Sequence, residues 1–401
     1  MADPFRVTAG EIAEDRFSRF GLLDWWDQAR IQKTKVAVIG AGALGNEILK
    51  NLALLGFERV VVVDSDRIEL SNLSRSVLYR ASDVGRLKAE TAAEAFQRLY
   101  DRAQVVPLCA NVLFGVGMGL FGWADIIVAG LDNREARLWI SRCAWKMGRP
   151  WVDGAIEGLG GVARMFLPGK PPCYECTLGE ADWLILEHRM SCNLLTREEM
   201  EAGKVPTTPT TASVIAGIQV QEALKHIHGL PVLEGKGYVF DGIRHLSYVV
   251  EYTDNAECQG HHSYERIVRL PAASSDLTLQ DLHRTAQREL QAEAVVVEFS
   301  RDIIQKLACP TCGREEEMFV PLGSVNRGRA RCPKDGTTRA VVAIHRYSGT
   351  ESYGTRKLSE LGLPPWDVYA ARAGEAEVAF LMEGDAASVI GRLGAAEGAA
   401  A

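Results

Sequence analysis

Several residue groups in this 401-residue chain have types and spacings that chemistry could use. The first is Gly40-Ala-Gly42-Ala-Leu-Gly45, between an apolar run and a helix-like pattern. Glycines so spaced let backbone N–H groups at a helix N-terminus approach a nucleotide phosphate. Asp64, 19 positions after Gly45, ends a second apolar run and can accept ribose hydroxyls. A dehydrogenase fits equally well to this point. Asp66, Asn72, Arg75 and Lys88 then follow. Hydride transfer needs no phosphate-neutralising cations there, whereas joining a carboxylate to the α-phosphate of ATP brings two anions together. Arg75 suits that work as a bidentate fork and Lys88 as a point charge. Asp132, with Asn133, ends a further buried run and is placed either to hold Mg²⁺ on ATP phosphates or to cap the next helix.

The nine cysteines form a second group, an odd number with several in short-range pairs, which in a reducing compartment reads as metal sites rather than disulfides. Cys173-x-x-Cys176 has zinc-knuckle spacing, and Cys258-x-x-His261 is its partner pair, with His262 as the alternative to His261. Cys309-x-x-Cys312 and Cys332 resemble a zinc ribbon; Asp335 stands where its fourth cysteine is expected, so either Asp335 ligates or the site is degenerate. Cys192 is alone, and a lone cysteine is ordinarily buried and inert.

The elements that must position these groups follow from periodicity. Val36 to Ile39 reads as a buried strand, Ile48, Leu49, Leu52 and Leu55 as one face of a helix stopped by Gly56, and Val60 to Val63 as the next strand. A helix from Lys88 to Tyr100, strands over QVVPLCANV and ADIIVAGLDN, a helix over REARLWISRCAWKMG and one further strand over PWVDGAIEGLGGVARMFL come next. Residues 179–210 read as a polar crossing loop, followed by an apolar helix from Thr210 and two strands. Residues 10–34 read as a helix with Arg16 and Arg19 solvated. After residue 262 come a strand, a helix capped by Thr278 or Asp276, the strand AVVVEF, the ribbon, the strands AVVAIHRY and AEVAFLM, and a short helix over LSELGLPPWDVYA. The expected organisation is an N-terminal segment 1–34, a nucleotide domain 35–262, a second domain 263–390 and a disordered tail 391–401. The net charge of -7 disfavours nucleic acid or an anionic membrane as partner. No apolar run approaches the ~18 residues of a bilayer span, and the polar N-terminus lacks a signal core, so a cytoplasmic location is expected.

Taken together, these motifs resemble the ubiquitin-like-protein activating superfamily, which includes the bacterial ThiF and MoeB adenylyltransferases. The resemblance covers about residues 14–262 and rests on GAGALG, the pair Asp64 and Asp66, NLxR at Asn72 and Arg75, the Lys of GRLK at Lys88, and Asp132-Asn133. RFSRF resembles the family's RYxRQ entry segment, with Phe20 where Gln is usual; the resemblance makes Arg19 an arginine finger supplied across a homodimer. It implies ATP and Mg²⁺ binding and adenylation of a C-terminal glycine. GLDNREAR and DGAIEGLGGVARMFLPGKPPCYECTL are closer to the thioester-forming activators, which implies that Cys192 is the catalytic cysteine. In those activators the second zinc pair is CxxC, where this chain has CxxH. The implied fold is α/β: a Rossmann-like, ThiF-type adenylation domain with a mixed sheet. A smaller α+β, β-grasp-like C-terminal unit with a zinc-ribbon insertion follows, at the position of a domain that recruits a conjugating enzyme. The implied partners are a ubiquitin-like protein ending in glycine, a conjugating enzyme and a second copy of the chain. The compact form is similar to activators of bacterial conjugation operons, some of which serve antiphage defence. The alternatives are a ThiF/MoeB-type adenylyltransferase of a sulfur-carrier protein and, from another class, an NAD-binding oxidoreductase.

Overall fold

The computed structural model describes residues 15–190 and 206–395. The chain divides into two compact units: Met1–Ala110, Gly122–Thr177 and Val205–His261 form one, and Asn111–Phe121, Leu178–Lys204 and His262–Ala401 the other. From the N-terminus to His261 the elements run α1 (Gln28–Lys33), β1 (Lys35–Ile39), α2 (Ala43–Leu55), β2 (Arg59–Val63), α3 (Lys88–Leu99), β3 (Gln104–Leu108), α4 (Met118–Trp123), β4 (Ile126–Gly130), α5 (Arg134–Lys146), β5 (Trp151–Glu157), β6 (Gly160–Phe166), α6 (Glu180–Met190), α7 (Pro209–Ile227), β7 (Lys236–Asp241) and β8 (Leu246–Glu251).

An eight-stranded mixed sheet with order β3-β2-β1-β4-β5-β6-β7-β8 organises the first unit. The strands from β3 to β5 are parallel, and β6, β7 and β8 join antiparallel. Central parallel strands are covered on both faces, hence the unbroken valine runs. Ile48, Leu49 and Leu52 of α2 and Ala212, Ile215, Ala216 and Val220 of α7 bury their apolar stripes in the same core as Val36, Val38, Val60 and Val62. Val36 lies opposite both Val60 and Ile126, so β1, β2 and β4 end together, and the glycine turn, Asp64 and Asp132 follow those ends.

Three local expectations are corrected. Residues 15–34 do not form one helix: Asp27 accepts a hydrogen bond from Arg30 N, so α1 starts only at Gln28, after a 3₁₀ turn at Phe20–Leu22. PWVDGAIEGLGGVARMFL is a hairpin of two strands, turned at Gly158, whose φ of 54° favours glycine. The crossing segment opens with the helix α6; residues 191–205, with Cys192, lie outside the described residues.

The second unit contains β9 (Ile267–Leu270), α8 (Leu279–Leu290), β10 (Val296–Ala308), β11 (Glu315–Pro321), β12 (Ala340–Tyr347), β13 (Val368–Ala373), β14 (Ala376–Met382) and α9 (Ala386–Ile390). Its six-stranded sheet has order β11-β10-β13-β14-β9, with β12 also paired to β10. The first and last strands, β9 and β14, are parallel neighbours, and α8 packs Leu279, Leu282 and Ala286 on the sheet, a grasp-like α+β arrangement. Thr278, not Asp276, caps α8, through a capping box with Asp281. LSELGLPPWDVYA yields only the 3₁₀ turn Leu358–Glu360, because Gly362 (φ 79°) stops it and β13 begins at Val368. The segment expected as a disordered tail, 391–401, opens with a 3₁₀ turn at Gly391–Gly394; residues 396–401 lie outside the described residues.

Asp153 of β5 is fully buried and paired with two arginines: Arg137 Nε donates at 2.9 Å and Arg164 Nε at 3.0 Å. Removing the shared carboxylate leaves two guanidinium groups without their anion, which costs about 3–5 kcal/mol. Denaturant unfolding of Asp153→Ala, followed by tryptophan fluorescence, is expected to show a loss of that order; a loss below about 1 kcal/mol, the range of surface pairs, contradicts it.

Candidate functional site

The turn from β1 into α2 is built around the backbone of Ala41. Its N–H donates to Asp64 Oδ2 at 2.7 Å, and its carbonyl accepts from Asn46 Nδ2 at 2.7 Å and from Tyr79 Oη at 2.7 Å. The glycines have separate reasons. Gly40 has φ 96°, and a Cβ there would lie 2.5 Å from Gly130 O. A Cβ on Gly45 would lie 1.9 Å from Gly40 O. Gly42, the N-cap of α2, has no neighbour within 4 Å of where its Cβ would be, so the helix N-terminus faces open space there. That is the arrangement in which free amides accept a phosphate.

Asp64 is held by two backbone amides, Ala41 N on Oδ2 and Asp66 N on Oδ1 (2.8 Å). Burial raises its carboxyl above the ordinary carboxylate range, against the opposing pull of Lys88 and those amides. Lys88, the first residue of α3, donates to Asp66 Oδ2 at 2.8 Å; its side chain is 12% exposed against 66% for Asp66. Burial disfavours the ammonium, but Asp64, Asp66 and Asp132 together outweigh it and hold Lys88 above its ordinary value, so it is cationic throughout the neutral range. Asn133, not Asp132, caps α5, accepting from Ala136 N at 2.8 Å. Asp132 is therefore exposed with its carboxylate uncommitted to the cap, as a magnesium ligand requires. Arg75 is half-buried and donates to Ser71 O at 2.9 Å. Asn72 is buried, and its Oδ1 accepts from Glu69 N, so part of its capacity is used in shaping the 3₁₀ turn Leu70–Ser74. Arg19 is exposed, and its guanidinium has no partner among the described residues. Arg16 is exposed, as expected, and its guanidinium lies over the Tyr100 ring at 4.9 Å.

Cys173, Cys176, Cys258 and His261 converge, with all four ligand atoms within 4.8 Å of one another. Cys173 Sγ is 3.9 Å from Cys176 Sγ and 3.6 Å from Cys258 Sγ, and Cys176 Sγ is 3.3 Å from His261 Nε2. Tetrahedral zinc with Zn–S of ~2.3 Å places sulfurs about 3.8 Å apart, so the donor set fits that ion. His261, not His262, completes the tetrad; His262 belongs to the second unit, where its Nε2 lies 3.0 Å from Glu377 Oε2. Trp145 stacks on His261 at 4.6 Å, and Arg142 holds Glu175, within the first knuckle, by two bonds of 2.9 Å. In the second unit Cys309, Cys312 and Cys332 also converge, together with Asp335.

The ThiF family model matches residues 15–260. The chain belongs to the ThiF family. A curated relative, the NEDD8-activating enzyme E1 catalytic subunit of Arabidopsis thaliana, is 40% identical over 157 residues, covering 36% of this chain and 34% of the relative. The SUMO-activating enzyme subunit uba-2 of Caenorhabditis elegans is 37% identical over 149 residues, covering 37% of this chain and 25% of that protein. These matches thus span about a third or less of the length of the relatives. Among solved structures, Escherichia coli MccB with AMPCPP and MccA has a TM-score of 0.52 at 21% identity, covering 62% of this chain and 75% of that one, a likeness of fold.

For this ThiF-family chain the sequence reading missed Asn46, Tyr79, Arg137 and Asp153. Only a polar residue inside an apolar helix stripe, as Asn46 is, could have signalled one of them. The glycines separate stability from binding. Gly45→Ala is expected to destabilise the first unit by about 1–3 kcal/mol or more, since backbone must move. Gly42→Ala is expected to leave the melting temperature unchanged while weakening ATP binding at least tenfold, read by calorimetry. Equal stability losses for the two variants would contradict the placement of the nucleotide.

Proposed function

We propose that the chain activates a ubiquitin-like protein by adenylating its C-terminal glycine and then carrying it as a thioester. The observation that supports this most is the gathering of the open α2 N-terminus, Asp64, Lys88 and uncommitted Asp132 at the ends of β1, β2 and β4 in a ThiF-family domain. ATP lies with its phosphates over Gly42 and its ribose on Asp64. Lys88 leaves its pair with Asp66 to meet phosphate oxygens, and Arg75 adds a second cation. Asp132 would hold Mg²⁺, which would supply charge neutralisation at the phosphates. The substrate carboxylate attacks the α-phosphorus, the bond to the β-phosphate oxygen breaks, and pyrophosphate leaves. The Cys192 thiolate attacks the acyl carbon, the bond to AMP breaks, and the thiol proton goes to solvent. A conjugating-enzyme thiol then accepts the acyl group. The tetrad Cys173, Cys176, Cys258 and His261 would hold zinc through four protein ligands, the donor set of a structural rather than a catalytic zinc site.

With ATP and ubiquitin-fold proteins ending in glycine, a covalent adduct cleaved by thiol reductant is expected. Cys192→Ala is expected to lose that adduct and retain adenylate formation. An adduct persisting in Cys192→Ala refutes the assignment of the cysteine. Arg19 acts in a second copy of the chain. Arg19→Ala and Lys88→Ala are each expected to be inactive alone. Mixed, they are expected to recover roughly a quarter of wild-type adenylation, the statistical share when half the two-fold dimers carry one intact site. No recovery on mixing places Arg19 in its own subunit's site or outside any.

A further inference from the structure

We propose that the second unit carries a tetrahedral zinc site of three thiolates and one carboxylate, Cys309, Cys312, Cys332 and Asp335, in which Asp335 is the fourth ligand. This site is separate from the activation chemistry and does not depend on it.

Two independent observations support it. The first is donor geometry. The four ligand atoms lie within 4.8 Å of one another. Cys312 Sγ is 3.7 Å from Cys332 Sγ, and Cys309 Sγ is 3.4 Å from Asp335 Oδ2. Zinc bonded to sulfur at ~2.3 Å and to carboxylate oxygen at ~2.1 Å gives edges of about 3.8 Å and 3.6 Å. Asp335 Oδ1 accepts from Thr337 N at 2.9 Å, which leaves Oδ2 to face the cluster as a monodentate ligand.

The second is backbone congruence. In the first knuckle Cys309 N donates to Arg314 O at 2.9 Å and Gly313 N to Cys309 O at 3.0 Å; Gly313 has φ 69°. In the second, Cys332 N donates to Thr337 O at 2.8 Å and Gly336 N to Cys332 O at 2.9 Å; Gly336 has φ 73°. The two turns have the same hydrogen bonds at the same offsets. Asp335 therefore occupies in the second knuckle the place that Cys312 occupies in the first. The sequence left open whether this position ligates or is lost; the congruent turn assigns it as a ligand.

The excursion between β10 and β12 also needs such a clamp. Its own core is small: Val325 and Ala330 pack with Ile304 and Leu307 as the only buried members of that cluster among the described residues. So little apolar burial cannot offset the ordering of some thirty residues, and a bound ion supplies the missing folding free energy.

The test uses the full-length chain purified with zinc supplied, its metal counted by elemental analysis. Wild type is expected to hold two zinc ions. Asp335→Ala is expected to hold one, and its 309–339 segment to be cut by protease while the rest of the chain resists. Asp335→Cys is expected to hold two and to release the second to a chelator more slowly than wild type, since thiolate replaces the harder oxygen. Cys176→Ser is expected to lose the other ion and leave this one, so failure here is distinguishable from failure of the first tetrad. Two ions retained in Asp335→Ala, or a single ion in wild type that Cys176→Ser removes, would overturn the proposal.

Discussion

The backbone of Ala41 is the point on which the first unit's site depends. Both of its polar groups are taken, the N–H by Asp64 and the carbonyl by Asn46 and Tyr79. One bond ties the turn to the end of β2. The others tie it to α2 and to the segment leading to Lys88, whose own carbonyl Tyr79 also contacts at 3.3 Å. Asn46 in addition accepts from Leu78 N at 2.9 Å. A buried amide group left without partners costs about 1–3 kcal/mol, so the backbone of this one residue holds glycine turn, acid and lysine in one geometry before any ligand arrives.

Helix α5 does comparable work on the other side of the site. Its N-cap is Asn133, which leaves Asp132 uncommitted. One turn on, Arg137 reaches back to Leu131 O and across to buried Asp153, fixing the turn that carries Asp132. Further along, Arg142 grips Glu175 and Trp145 stacks on His261. The same helix thus buttresses both the strand-end acid and the metal tetrad. Partners of this kind orient first ligands and are felt when removed.

What the sequence showed and what it hid divide along physical lines. Gly40, Gly45 and the strand ends were legible because a parallel sheet leaves unbroken valine runs and a close backbone approach leaves glycine. Cysteine spacing indicated the knuckles, since a short turn sets the distance between two ligands. It placed Asp335 at the fourth ligand's position but could not say whether Asp335 ligates, because that depends on a turn whose backbone hydrogen bonds match those of the first knuckle. The hairpin at Gly158 was hidden in a glycine-rich run with no break in apolar character, and the N-terminal helix failed because Asp27 starts a helix of its own. Asn46, Arg137 and Asp153 were hidden because a polar residue in an apolar element signals burial only once its partner is known.

The central claim is that the nucleotide is consumed at this site by a carboxylate. ATP–pyrophosphate exchange measures that step alone. With wild-type chain, Mg²⁺, ATP and labelled pyrophosphate, label is expected to enter ATP only when a ubiquitin-fold protein ending in glycine is present, and to stop when that glycine is deleted. Exchange indifferent to the glycine, or binding of NAD in place of ATP, would contradict it.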